Sequence, residues 1–327
     1  MPTSTHPVAE VLRTRRAEGS APDARTDPHR VAVVIEGGGM RGVVSAGMTA
    51  AIERLGLTSC FDVVVGSSAG ALNGAGLLGG VAAAGPGVYC GPLASRRFIN
   101  PARLLVGRPA MDVRFVLGHA SANLDPDRHE RTITSPVDFR CVAVDVDSAQ
   151  PATFTGMRTK EELWEVLLAT TRMPLIGGQP IRIGDHRYID GALAAGIPLP
   201  AALEAGATHV LVLQTRPYGV PRSTGSRIGD VLIERHLRRL NPALVTLWRE
   251  RIPSYERLVD DIRHRSTERG GPPPHVLGLR PPEGTPVVSQ LERRPDVLSE
   301  AAEAAERLVE EALGGPPGAE LDVQATG

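Results

Sequence analysis

The stretch Phe61-Asp62-Val63-Val64-Val65-Gly66-Ser67-Ser68-Ala69-Gly70 decides the fold. Val63–Val65 is a short β-branched run without polar alternation, which suits a strand buried on both faces of a parallel sheet. Five small residues, Gly66 to Gly70, then let the chain turn sharply, and Ala69–Leu78 continues with helical spacing. The same unit occurs upstream, where Val31–Ile35 runs into a glycine cluster and then a helical pattern over Val43–Leu55. Downstream, Cys141–Val146 and His209–Leu213 read as further buried strands, and Lys160–Thr170 and Pro200–Ala205 as helices. Strands alternating with helices predict an α/β fold: an open, mostly parallel sheet with helices on both faces, a three-layer α/β/α arrangement. Ile181–Tyr188, with Gly184-Asp185 at its centre, predicts a β-hairpin, and Asp296–Leu313 an amphipathic helix stopped by Gly314 and Gly315.

These elements place one domain over residues 31–313, between a polar, disordered tail at 1–30 and another at 314–327. Within the first tail a short helix is expected near Val8–Arg16. The segment from Tyr89 to Pro136 has weak periodicity and reads as a cap or insertion. Pro272-Pro273-Pro274 and Pro281-Pro282 mark a surface loop. The formal net charge of −1 gives no reason to expect nucleic acid as a partner. Of 36 basic residues only Lys160 is lysine, so arginine clusters such as Arg96, Arg97, Arg103, Arg108 and Arg114 read as a solvated face before a headgroup-facing one. Cys60, Cys90 and Cys141 lack both disulfide and metal-ligand spacing. Without a signal-like apolar core or a span of about 20 apolar residues, a cytoplasmic location is expected, with at most transient contact at a membrane surface. The oligomeric state is left open.

Three stretches carry chemistry. Gly66-Ser67-Ser68-Ala69-Gly70 matches G-x-S-x-G in a strand–turn–helix setting, which projects the Ser68 hydroxyl and sets the positive end of a helix beside it. Gly66 and Gly70 are the flanks that permit the turn. Ser67 points elsewhere and reads as structural. Glu36-Gly37-Gly38-Gly39-Met40-Arg41-Gly42 follows one strand and opens a helix, so uncovered N–H groups there can hold an anion or a developing oxyanion. Gly37-x-Gly39-x-x-Gly42 also fits a dinucleotide loop. That reading requires an acid at the C-terminal end of the second strand, where Gly66-Ser67-Ser68 stands instead; Asp62 precedes the strand. The third stretch is Asp190-Gly191-Ala192 behind the hairpin, whose carboxylate has room to approach an elbow. Alone it reads as a turn.

A serine nucleophile needs a base within hydrogen-bond reach. Of the nine histidines, none stands in the glycine-flanked loop a relay histidine usually occupies, although His186 and His119 can approach through space. A Ser68–Asp190 pair is favoured.

Together the three motifs resemble the patatin-like phospholipase family, in order, over about residues 31–215. The resemblance implies a serine acyl hydrolase acting on carboxylic esters of lipids without metal or cofactor. It implies Ser68 as nucleophile, Asp190 as base, and an oxyanion loop Gly37, Gly38, Gly39, Met40, Arg41 and Gly42, with Arg41 supporting it. Gly191 and Ala192 complete the third motif. An acyltransferase, in which an alcohol intercepts the same acyl-enzyme, is the nearest alternative. A dinucleotide-binding module or a catalytically silent binding protein would be of a different class.

Overall fold

The computed structural model describes residues 6–120, 123–194, 196–221 and 227–317, without the side chains of residues 119 and 120. Its centre is an eight-stranded sheet. Five strands are parallel neighbours in the order β3 (Asp138–Asp145), β2 (Val63–Ser67), β1 (Val31–Ile35), β7 (His209–Leu213) and β8 (His275–Leu279). β4 (Gln150–Phe154) and the hairpin β5 (Ile181–Ile183) and β6 (His186–Asp190) add antiparallel pairing beyond β3. The chain steps outward from β1 through β2 to β3, then returns to the other side of β1 as β7. Such a reversal of strand order opens a crevice at the C-terminal ends of the strands. The loops after β1, β2 and β7 all emerge there.

Continuous apolar strands are explained by helices on both faces. Every residue of β1, β2 and β7 is buried. Val31, Val33 and Ile35 point to one side, against α2 (Gly42–Arg54), α3 (Ala69–Leu78) and α11 (Pro295–Leu313). Ala32 and Val34 point to the other, against α8 (Leu199–Glu204) and α10 (Ala243–Thr267). Each such fully buried Val or Ile contributes about 1.5–3 kcal/mol. α11 packs so closely on α2 that a Cβ at Gly47 would strike the Ala302 carbonyl.

Several expectations are corrected. Residues 6–30 are ordered: α1 (Pro7–Glu18) buries Val8, Ala9 and Leu12 in the first core. Its arginines are structural. Arg15 is fully buried and pairs with Asp27 at 2.7 Å and Asp62 at 2.8 Å. Arg13 donates to the Ala312 carbonyl and Arg16 to those of Leu313 and Gly315, tying α1 to the end of α11. Gly314–Pro317 follows α11; the remainder of the expected second tail lies outside the described residues.

The Tyr89–Pro136 segment is part of the core and not an appendage. After α4 (Gly85–Cys90) it runs through short turns, α5 (Val113–Phe115) and α6 (Arg128–Thr134), and buries Leu93, Phe98, Ile99, Met111, Val113, Val116 and Leu117. Its periodicity is weak because much of it is 3-10 and π turn, as in Pro101–Val106 and Val116–Ala120. α7 (Lys160–Thr170) matches the expected bounds. β8 lies between the two proline clusters read as one loop, and α9 (Arg227–Leu240) and α10 were not foreseen. Among the described residues no helix is long and apolar enough to cross a membrane.

Candidate active site

Ser68 stands between β2 and α3 with φ 55° and ψ −130°. A side chain in that region is strained by about 1–3 kcal/mol, which the surroundings must over-determine. They do so from both sides. Gly66 and Gly70 pack where a Cβ would collide, at Gly66 with Ala71 and at Gly70 with the Ile35 carbonyl. The Ser68 amide donates to Thr170 Oγ1 at 2.9 Å, and Thr170 in turn donates to the Val142 carbonyl of β3. The hydroxyl caps no amide of α3. It donates instead to Asp190 Oδ2 at 2.8 Å.

Asp190 ends β6 opposite Ala143, so the antiparallel pairing with β3 carries it to the elbow across 122 residues of chain. Its other oxygen accepts the Ala192 amide at 2.8 Å, the turn expected of an Asp-Gly-Ala sequence. A Cβ at Gly191 would strike the Val142 carbonyl and sit 2.7 Å from Ser67 Oγ, so a larger residue would push β6 off the elbow. Ser67 Oγ is buried without a hydrogen-bond partner among the described residues. Ser68 and Asp190 are 4 % and 2 % exposed.

The glycine loop lies across the elbow. Gly37 is pressed on the Ser67 carbonyl and Ser68 Cβ. Gly38 (φ 146°) and Gly39 (φ 61°) hold positive φ values that side chains rarely adopt. Among the described residues neither amide has a hydrogen-bond partner, whereas the next one, Met40, donates to the Gln290 carbonyl at 3.1 Å. Arg41 folds back over Gly38 and donates from Nε to Thr215 Oγ1 at 3.1 Å. Gly42 opens α2 against Ala69 Cβ and Tyr89 OH.

Motif reading missed what supports this loop. Glu36 is 2 % exposed; one oxygen accepts the Thr215 amide at 2.6 Å and the other the Tyr255 hydroxyl at 3.0 Å. Burial, reinforced by the Glu36 charge, pushes the Tyr255 phenol well above its ordinary range, so it stays a donor. Ser45, Asn73 and Tyr89 continue the network beneath α2. A lone acid closing an apolar strand was the available signal for Glu36. Thr170, Thr215 and Tyr255 had none, because each comes from a distant element.

Two chambers meet at Ser68. One, a cavity of about 30 Å³, is walled by Leu72, Leu93, Phe98, Met111, Val113, Val116 and Met173. It shares Leu72, Tyr89, Leu93 and Val116 with a further apolar cavity of about 90 Å³ that reaches His129. The other chamber is about 540 Å³ and holds Arg41, Arg216, Arg251, Asp190 and Asp230 among its walls. His186 turns away from the elbow, with Nδ1 2.8 Å from Asp145 Oδ2. Four steps along β6 carry the strand from it to Asp190, about 13 Å. The side chain of His119 lies outside the described ones. Asp145, Asp147 and His186 bring three potential metal ligands together, a grouping absent from the sequence spacing; two of them are exposed, and Asp147 already pairs with Arg187.

The model of the patatin-like phospholipase family matches residues 33–203, slightly more than half of the 327-residue chain and both chemical turns with the Asp-Gly-Ala segment. The chain belongs to the patatin-like phospholipase family. A similar curated protein is the uncharacterized protein YjjU of Escherichia coli, 28% identical over 192 residues, which are 58% of this chain and 53% of that protein. The chain thus spans about half of that relative's length. Among solved structures it is similar to VipD from Legionella pneumophila (10% identity, TM-score 0.41, covering 87% of this chain and 67% of that one). It is also similar to human GIVD cytosolic phospholipase A2 (12% identity, TM-score 0.34, covering 94% and 62%).

Proposed function

We propose that this patatin-like chain is a lipid acyl hydrolase that cleaves carboxylic esters through Ser68 and Asp190. The observation that carries the reading is the 2.8 Å hydrogen bond from Ser68 Oγ to Asp190 Oδ2, made by a serine held in a strained elbow. In the first step Oγ attacks the ester carbonyl carbon while its proton passes to Asp190 Oδ2. The carbonyl oxygen becomes an oxyanion facing the Gly38 and Gly39 amides, with the positive end of α3 behind Oγ. Collapse breaks the bond to the leaving alkoxide, which takes the proton back from Asp190. Water then repeats the sequence on the acyl-serine and releases a fatty acid.

An aspartate is a weak base for a hydroxyl, so most of the transition-state charge falls to the amides; each such donor contributes about 10²–10³ in rate. The apolar chamber suits an acyl chain and the larger one the remainder of the lipid. Exposed Ile228, Val231, Leu232, Val287 and Leu291, on the segments rimming the larger chamber, support transient contact with a lipid surface.

The test is a fluorophosphonate probe together with p-nitrophenyl esters of graded length and intact phospholipids. Wild type should be labelled and active. Ser68→Ala should be unlabelled, and both it and Asp190→Asn should lose about 10⁴-fold or more in kcat while folding normally. Near-normal turnover by Ser68→Ala would remove the reading, and a comparable loss in His186→Ala would replace Asp190 as the base.

A further inference from the structure

We infer that the larger chamber is an anion-recognising subsite in which Arg216 binds the phosphodiester of a glycerophospholipid or lysophospholipid leaving group. This rests on the acyl-hydrolase reading above and names a residue that sets the specificity of its site. The two chambers that meet at Ser68 differ in character: one is walled almost entirely by apolar side chains, the other carries three arginines. Those arginines are not equivalent. Arg251 is paired with Asp230 at 3.0 Å, and Arg41 is bound into the glycine loop through Thr215. Asp190, the remaining acid of the chamber, is engaged by Ser68 and the Ala192 amide.

Arg216 is the exception. It follows β7 at the crevice, with its guanidinium carbon 5.9 Å from the centre of the Tyr255 ring, and its Nε is buried with no hydrogen-bond partner. No carboxylate lies within ion-pair distance of it among the described residues. Tyr255 is itself fixed by Glu36, so the face on which Arg216 rests is rigid. A partly buried guanidinium without a counter-charge is costly unless an anion completes it, and its planar fork matches two oxygens of a phosphate. A chamber of about 540 Å³ accommodates a glycerophosphate and its headgroup, whereas the apolar one does not offer the phosphate a single charge. With the acyl chain on the apolar side, the phosphate of the same molecule falls on the side of Arg216.

Binding to the Ser68→Ala protein tests this without catalysis, by calorimetry with short-chain ligands kept monomeric. The ligands are an alkyl-ether lysophosphatidylglycerol, the alkylglycerol of equal chain length, and inorganic phosphate. Adding Arg216→Gln should weaken the ether phospholipid about tenfold to a hundredfold, the loss expected for a charge-assisted pair, and the neutral alkylglycerol far less. Arg216→Lys should fall between, and it supplies the comparison if the glutamine variant melts early. Equal weakening of both ether ligands would show a structural role and overturn the subsite, as would no weakening of either. Phosphate binding as tightly as the ether phospholipid, and as dependent on Arg216, would assign the site to free phosphate instead. Wild type that cleaves neutral esters while Arg216 variants bind all ligands alike would sink this inference alone. Failure of fluorophosphonate to label Ser68 would remove the hydrolase reading and the inference with it.

Discussion

At the scale of single residues the site depends on backbone positions that side chains rarely adopt. Ser68 accepts its positive φ because β2, Thr170 and the two flanking glycines leave it no alternative. Gly39 is the position where a methyl group would do most harm. Its φ is 61°, and an added Cβ would sit 2.7 Å from the Gln290 carbonyl, which is the acceptor that anchors Met40. Gly39→Ala should therefore tilt the adjacent amides away from the proposed oxyanion position. The expected result is a kcat lowered by about 10²–10³ with modest change in KM, because that bond strengthens in the transition state. Steady-state ester kinetics, with calorimetry against NAD and FAD, check it. Unaltered esterase kinetics together with micromolar dinucleotide binding would restore the nucleotide reading of the loop. Asp62 speaks against that reading: it lies at the opposite end of β2, taken by Arg15, Arg25 and the Val31 amide.

Among the elements, α1 shows how a polar segment becomes structural. Arg15 buries its charge because Asp27 and Asp62 meet it, and hydrogen bonding from Arg15 holds the Asp27 carboxyl at about 2. Its N-terminus is capped by His6, whose Nδ1 accepts the Val8 amide. Burial, with Arg269, His275 and His209 nearby, lowers His6 to about 3; burial with His29, His275 and Arg15, opposed by Asp27, lowers His209 to about 4. Both pKa values are depressed below the ordinary histidine value of about 6.5. The unfolded state thus binds protons first, and the stability these residues contribute is present above about pH 6.5 and lost as pH falls toward 4. Hydrogen exchange should show α1 losing protection between about pH 6 and 4, before the central strands do. His6→Asn keeps a cap acceptor without the titrating ring and should flatten that dependence. An unchanged acid profile in His6→Asn would contradict the assignment.

For the whole molecule, the arrangement of layers decides where a chain-like substrate can go. The segment from Leu93 to Val116 closes over α3 and turns the space beside Ser68 into an apolar passage. Val116 borders both apolar cavities, so Val116→Trp should block the passage between them. Each methylene no longer buried costs about 0.8 kcal/mol, so exclusion of two or more lowers long-chain esters by roughly tenfold or more. The expected outcome is a fall of that size in the ratio of kcat/KM for dodecanoyl over butanoyl p-nitrophenyl esters. A ratio that stays at the wild-type value would place the acyl chain in the larger chamber instead. Sheet order matters equally: because β1 sits at the reversal, the glycine loop, the elbow and the β7 loop bearing Arg216 share one crevice.

By itself the sequence determined the local decisions: which runs become buried strands, where Gly66 to Gly70 must turn, that Ser68 heads a helix, and that Asp190 precedes a tight turn. These depend on residue size, β-branching and backbone freedom over a few positions, so they are readable without the rest of the chain. Only the tertiary structure decided that Asp190 meets Ser68, since the register of β6 on β3 carries it there across 122 residues. The same holds for Glu36, Thr215 and Tyr255, whose polarity has meaning only once β1, β7 and α10 converge. It holds for α1 and β8 too, whose order comes from partners elsewhere: Asp27 and Asp62 for Arg15 of α1, and a neighbouring strand for five residues between prolines. Burial is a property of what surrounds a residue, and the chain declares its surroundings only when it has folded.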